Sequence, residues 1–307
     1  MILRSRTRGG LALGLSLALA VGLAACAPNG PSAASGKPLV VAAENVWGSI
    51  AQQLGGGHVD VTSIVTNPNA DPHDYEPTVA DAREMADARF VIVNGVGYDP
   101  WAQKLLAANP VPDRVVLNVG NLAGVPAGGN PHLWYSPTVV QRVVDAITAE
   151  YDRIVPNETT SFDRRRHWYL TTALRTYHAL IAEIDAKFAG VQAGASESIF
   201  VPLATALGLD LITPLPFLTA ISEGVEPTTA DKTTIDQQIR DHQIKVYVYN
   251  RQNATPDVQR QIEEARRAGI PIATITETLV PAGATFQAWQ VAQLQSILAA
   301  LERATGR

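Results

Sequence analysis

Short apolar runs alternate with amphipathic stretches along most of the chain, and this alternation predicts its elements. Leu39–Ala43 and Phe90–Val93 are unbroken apolar runs of the kind buried in parallel sheets, and Val59–Val65 and Val115–Leu117 read as further strands. Between them the periodicity predicts helices at Asn45–Leu54, Thr78–Ala88 and Trp101–Ala108, with Asn45 as a candidate N-cap and Gly55-Gly56-Gly57 as a stop. Pro137 opens another helix reaching about Val155. The stretch Thr159–Phe188 then runs without Gly or Pro, and Trp168, Leu170, Leu174, Tyr177, Leu180, Ile181, Ile184 and Phe188 recur at helical spacing. At about 1.5 Å per residue such a helix spans on the order of 40 Å. A second series follows: helices at Ile199–Leu207, Thr229–His242, Pro256–Ala268 and Phe286–Arg303, and strands at Leu209–Thr213, Lys245–Tyr249 and Ile270–Ile275. Strands alternating with helices predict an α/β fold with parallel sheets.

At 307 residues the chain exceeds one typical core, so two domains are expected. The divisions fall at 38–157 for an N-terminal α/β lobe, 158–189 for a linking helix and 190–307 for a C-terminal α/β lobe. A formal charge of −5 supplies no basic field, so nucleic acid is not an expected partner. Arg4, Arg6 and Arg8 precede an apolar segment, Leu11–Leu23, which reads as a secretory signal over residues 1–25. It ends in Leu23-Ala24-Ala25-Cys26, which resembles a bacterial lipobox with Cys26, the one cysteine, as the lipidated residue. The alternative is an ordinary signal cleaved after a small residue, with Cys26 incidental. Residues 26–37 then form a flexible lipidated tether, and the protein is expected outside the cytoplasm, anchored to the bacterial cell membrane.

Candidate chemistry begins with two runs of similar grammar. Asp71-Pro72-His73-Asp74-Tyr75-Glu76-Pro77 follows a strand and an Asn/Pro-rich turn, and Asn130-Pro131-His132-Leu133-Trp134-Tyr135-Ser136-Pro137 likewise sets a histidine after proline and before a helix. Loops beyond strand ends are where α/β sheets hold ligands, and two such imidazoles among six histidines suggest a divalent metal. Either histidine alone could equally hydrogen-bond its own loop. His167 and His178 read as surface or packing residues of the long helix, and His58 and His242 as solvated turn and helix-end residues. Glu197 lies just before a helix and Glu277 just beyond a buried strand; each has a local reading, as a helix-start or a solvated residue. Together, two imidazoles from one half and two carboxylates from the other would close a four-ligand site for Zn²⁺ or Mn²⁺. Asp74 and Glu76 are candidates to orient His73, or helix-start residues. Asn94-Gly95-Val96-Gly97 lacks the full glycine pattern of a dinucleotide site.

These residues resemble the metal-receptor solute-binding lipoproteins of zinc and manganese ABC transporters, sometimes called cluster A-I. The likeness covers nearly the whole mature chain through the lipobox, the two Pro-His runs, the long central helix, Ser196-Glu197-Ser198-Ile199-Phe200 and Thr276-Glu277-Thr278-Leu279. It implies two α/β lobes joined by a rigid backbone helix, with His73, His132, Glu197 and Glu277 as ligands. It also implies delivery of the metal to an ABC permease and its ATPase by a monomeric, non-enzymatic protein. Glu197 stands where zinc-selective members usually carry His, which is closer to the manganese branch, and Glu277 stands where the family usually carries Asp. Leu122–Gly129 lacks the long His-rich loop of many zinc receptors. Two rivals remain. An extracellular zinc hydrolase would need an open coordination position and a general base, and no His-Glu-x-x-His occurs. A binding protein for an organic or chelated-metal ligand would leave His73 and His132 incidental.

Overall fold

In the computed structural model residues 36–69 and 72–307 are described, with the Asp74 side chain set aside. The expected signal segment, Cys26 and nearly all of the tether therefore lie outside the described residues, as do Asp71 and the proposed role of the Asp74 side chain. Among the described residues no helix is long and apolar enough to cross a membrane.

The first half runs β1 (Leu39–Glu44), α1 (Asn45–Gly55), β2 (Asp60–Val65), α2 (Val79–Asp87), β3 (Phe90–Val93), α3 (Pro100–Ala108), β4 (Val115–Asn118), α4 (Val119–Ala123) and α5 (Pro137–Ile154). A helical track follows: α6 (Thr159–Trp168), a π turn (Tyr169–Ala173) and α7 (Arg175–Phe188). The second half runs β5 (Gln192–Ala195), α8 (Val201–Ala206), β6 (Asp210–Leu211), α9 (Leu215–Ser222), α10 (Thr229–Arg240), β7 (Val246–Asn250), α11 (Pro256–Arg267), β8 (Ile272–Ile275) and α12 (Phe286–Thr305). Each half carries a wholly parallel four-stranded sheet, ordered β2-β1-β3-β4 and β6-β5-β7-β8. The two orders follow one pattern, so each sheet has its switch point beside its central strand, where loops diverge and leave a crevice.

Burial explains why the apolar runs became strands. Val40–Ala43 and Phe90–Val93 are buried on both faces, as parallel strands covered by helices must be. The capping expectation for Asn45 fails: it is the first helical residue, no side chain caps α1, and its Oδ1 accepts from Leu279 N–H at 3.3 Å. Thr78 does cap α2, in a reciprocal box with Asp81. The expected strand at Leu209–Thr213 shrinks to Asp210–Leu211, and the expected helix at Ile199–Leu207 divides into a 3₁₀ turn, Ser198–Phe200, and the short α8.

The long central helix is present but not uniform. Its buried positions are Phe162, Tyr169, Leu174, Tyr177, Leu180, Ile184 and Phe188. The five-residue step from Tyr169 to Leu174 is the extra residue of the π turn, where Leu174 N–H donates to Tyr169 O at 3.0 Å. That insertion re-aims the stripe, so Tyr169 is buried and Trp168, expected inside, is 45% exposed. α7 packs along α12, and α12 also touches α1 across the chain's two halves. One apolar core runs from Val40 through Tyr177 to Leu301 without a break between the sheets, and a smaller separate cluster holds Val41, Met85, Val91 and Trp101. Ile184 is wholly buried in that core. Ile184→Ala is expected to lower unfolding free energy by about 2–5 kcal/mol, measured by urea denaturation. A loss below about 1 kcal/mol would mean that this stretch of α7 does not carry the shared core.

Candidate metal centre

The polar residues between the sheets come from strand ends. His73 lies in a 3₁₀ turn, Pro72–Asp74, beyond β2; Tyr98 lies beyond β3; His132 precedes a second 3₁₀ turn, Leu133–Tyr135. From the other half, Glu197 follows β5, Asn250 ends β7 and Glu277 follows β8. Both sheets thus direct their carboxyl ends at one place.

Three of the four candidate ligands converge there. His73, His132 and Glu277 each offer an atom within 4.8 Å of the others. His73 Nε2 lies 3.5 Å and His132 Nε2 3.9 Å from Glu277 Oε2. The side chains of His132 and Glu277 are fully buried, whereas that of His73 is 26% exposed and forms the solvent side of the group. Glu197 is buried too but is not part of this cluster; its Oε2 accepts from Asn253 Nδ2 at 2.9 Å.

The supporting contacts decide which atoms face the centre. Asn130 Nδ2 donates to Ser198 O at 2.6 Å, which orients the amide so that its Oδ1 accepts from His132 N–H and Nδ1–H, at 3.0 and 2.9 Å. The Nδ1 proton leaves the Nε2 lone pair directed at the cluster, the tautomer a metal requires. His132 Nε2 is buried and has no hydrogen-bond partner among the described residues. An apolar wall would not make that atom's burial favourable, but a cation would. Burial, and then the nearby His73, hold the His132 pKa well below the ordinary histidine value, so it is a neutral imidazole. Glu277 Oε1 accepts from Asn250 Nδ2 at 2.8 Å and Oε2 from Tyr98 O–H at 2.7 Å. Its own backbone N–H donates to Gln252 Oε1 at 2.6 Å.

Tyr98 is delivered by a strained loop. Gly95, Val96 and Gly97 all take positive φ, and Val96 at +57° is β-branched, a conformation such residues rarely adopt. Asp99 holds the loop, its carboxylate accepting from Asn94 N–H at 2.6 Å and Gly95 N–H at 2.9 Å. The Tyr98 ring then packs edge-on against His73, His132 and Trp134, with centroids 4.8, 6.1 and 5.1 Å apart. Among the supporting residues, sequence reasoning missed Tyr98, Asn250, Asn253 and the orienting role of Asn130. The one available signal was position: Tyr98 and Asn253 lie in loops beyond β3 and β7, Asn250 ends β7, and Asn130 adjoins the Pro131-His132 run. Glu76, a candidate partner for His73, is exposed.

Comparison with known proteins identifies the family. Residues 40–300 match the model of the family described as "Zinc-uptake complex component A periplasmic". The chain belongs to this family. The iron-binding protein YfeA of Yersinia pestis is 28% identical over 158 residues, 48% of this chain and 50% of that protein. The zinc-binding protein AdcA of Streptococcus pyogenes is 23% identical over 263 residues, 72% of this chain and 48% of its own length. The chain thus spans about half the length of these curated relatives. A Mn-bound periplasmic metal binding protein from Candidatus Liberibacter asiaticus superposes with a TM-score of 0.72 at 19% identity, covering 86% of this chain and 100% of that one. That likeness establishes the shared two-sheet fold.

Two buried groups beneath this family's site give opposite pH responses. Unfolding returns His132 to about 6.5, so its contribution is intact above that pH and is lost as pH falls below it. Glu44, also buried, is raised well above the ordinary carboxylate range by burial and then by Asp99. It stays protonated when folded, so its penalty shrinks as pH falls and the unfolded chain also takes a proton. Metal-free wild type should therefore lose its stability advantage over His132→Gln between pH 7 and 5.5, by at most about 1.4 kcal/mol per pH unit. Its advantage over Glu44→Gln should grow across the same window. Urea denaturation at stepped pH checks both, and a pH-independent His132→Gln difference would contradict a buried neutral imidazole.

Proposed function

We propose that this chain is the extracytoplasmic solute-binding protein of a divalent-metal ABC importer, capturing Zn²⁺ or Mn²⁺ and passing it to a permease served by an ATPase. The observation that carries the reading is the cluster itself: His73, His132 and Glu277 bring ligand atoms within 4.8 Å of one another from both halves. Two imidazoles and a carboxylate suit zinc, and hard oxygens suit manganese. Glu197 is the proposed fourth ligand, and with Glu277 it would leave a bound dication formally neutral. The relatives, which include zinc-binding and iron-binding proteins and a Mn-bound structure, support a metal cargo of this class.

The remaining features of the proposal concern placement. Cys26 is the proposed lipid attachment point after removal of residues 1–25, and residues 26–37 the tether. Residues 38–157 and 190–307 act as lobes around the linking segment 158–189. One chain supplies every proposed ligand, so a monomer suffices, and no catalytic step is assigned. The unbroken core between the sheets supports release by local movement in place of a wide hinge swing.

Calorimetric titration of the metal-stripped protein is expected to give one Zn²⁺ or Mn²⁺ per chain. His132→Ala and Glu277→Ala should each weaken binding by more than about 100-fold. Glu197→Ala decides between four ligands, with a loss of similar size, and three, with little loss. Wild type that binds no stoichiometric metal would end this reading. A metal-dependent peptidase or phosphatase activity abolished by His73→Ala would replace it with the hydrolase.

A further inference from the structure

A cavity of about 520 Å³ lies between the halves beside the cluster. Its wall includes His73, Gly97 and Asn130 from the first half and Ser198, Thr219 and Glu223 from the second. Elsewhere along the cleft the halves are stitched together. The Gln53 and Gln287 amides exchange hydrogen bonds of 3.1 and 2.7 Å, and Ser49 Oγ accepts from Phe286 N–H at 2.9 Å. The groove on that side, lined by Asn45, Gln53 and Thr285 among others, touches none of His73, His132 and Glu277. His73, the one partly exposed member of the cluster, opens on the 520 Å³ cavity.

The charge of that wall is selective. Among the described residues it carries one carboxylate, Glu223, and neither lysine nor arginine. Glu223 ends α9, where its backbone N–H closes the helix on Thr219 O at 2.9 Å. A carboxylate at a helix C-terminus is opposed by the helix dipole, and among the described residues Glu223 makes no ion pair. Local structure therefore gives this charge no stabilising role. An anionic chelate would meet a carboxylate and no cation in this space, whereas a hydrated dication would meet a complementary charge and hydroxyl and amide oxygens.

We propose that this cavity is the route by which the hydrated cation reaches and leaves the cluster, with Glu223 as a carboxylate station met on the way to His73. The inference rests on the metal-binding reading above. A station on the route stabilises the ion in transit and is absent from the bound state, so removing it slows association and dissociation together and leaves the dissociation constant unchanged.

The test is stopped-flow measurement of Zn²⁺ association, with dissociation followed by transfer to a fluorescent chelator, using the full chain. Glu223→Gln is expected to slow both rates by about fivefold or more at low salt, with the dissociation constant within about twofold of wild type. Because this charge is exposed, the effect should shrink at high ionic strength. Thr219→Trp, which narrows the cavity without changing charge, should slow both rates at any salt, with Thr219→Ala as its same-site control. Glu223→Gln suffices alone should Thr219→Trp fail to fold. Unchanged rates in a variant that still binds one ion would overturn the route. A weaker dissociation constant arising only from faster release would make Glu223 a ligand of the bound ion and would also overturn it. Failure of wild type to bind the ion would instead remove the reading beneath it.

Discussion

The carboxylate of Glu277 is the constraint on which the arrangement depends. It has no exposed side-chain surface, and a buried anion is tolerated only where charges and donors replace the water it gives up. Those partners come from both sheets: Tyr98 and, 3.5 Å away, His73 from the first, and Asn250 from the second. One side chain thus links the two halves chemically while remaining a metal-type donor. Displacement of either half by more than a fraction of a hydrogen-bond length would leave this anion short of partners. The halves are held in register by the same group that makes the site reactive toward a cation.

The surrounding polar network extends that constraint into the scaffold. The Tyr135 hydroxyl lies 2.8 Å from both Thr276 O and Gln293 Oε1 and shares its one proton between them, while Trp289 Nε1–H donates to Thr276 Oγ1 at 2.8 Å. Thr276 precedes Glu277, so α12 and the first half together fix the backbone from which the carboxylate projects. On the other side, Trp47 Nε1–H donates to Asn94 Oδ1 at 3.1 Å, and Asn94 Nδ2 donates to Pro131 O at 2.8 Å, immediately before His132. Buried polar groups connected in this way are costly if any one is removed. The strained Gly95–Gly97 loop is kept in place by the same network, and the strain serves to present Tyr98.

How much of this could be read in the sequence divides along physical lines. Strands buried on both faces leave apolar runs, so β1 and β3 were found almost to the residue. A proline-flanked histidine beyond a strand end is a local signal, and it led to both imidazoles of the cluster. β5 escaped because it is built from Gln192-Ala193-Gly194-Ala195, without a β-branched residue. Its glycine is required by packing that no local pattern reveals, since a Cβ on Gly194 would lie 2.6 Å from Ile244 and 3.4 Å from the Tyr247 ring. α9 escaped because Pro214 and Pro216 flank its start, although proline is acceptable in a first turn. Tyr98 and Asn130 act across the halves and Asn250 within the second, and their roles depend on partners 179, 68 and 27 residues away in the chain. Local spacing carries no trace of such partnerships.

The same division bears on how a tightly embedded site would exchange the proposed cation. A continuous core and the amide stitching of α1 to α12 oppose a large opening motion, yet an ion held by His132 and Glu277 would still need a way out. Movement therefore has to be confined to what the core does not hold. His73 sits on a short turn instead of a sheet and is the member of the cluster with solvent access. α9, facing it across the cavity, bears Leu215 at 61% exposure but anchors Phe217, Leu218 and Ile221 in the shared core, with Ser222 Oγ 2.8 Å from Ser198 Oγ. The Pro72–Asp74 turn can shift while the sheets, α7, α9 and α12 keep their packing. Rigidity elsewhere is then what directs the motion to that side, and the fold resolves the conflict between holding an ion and releasing it by assigning the two tasks to different parts of one cleft.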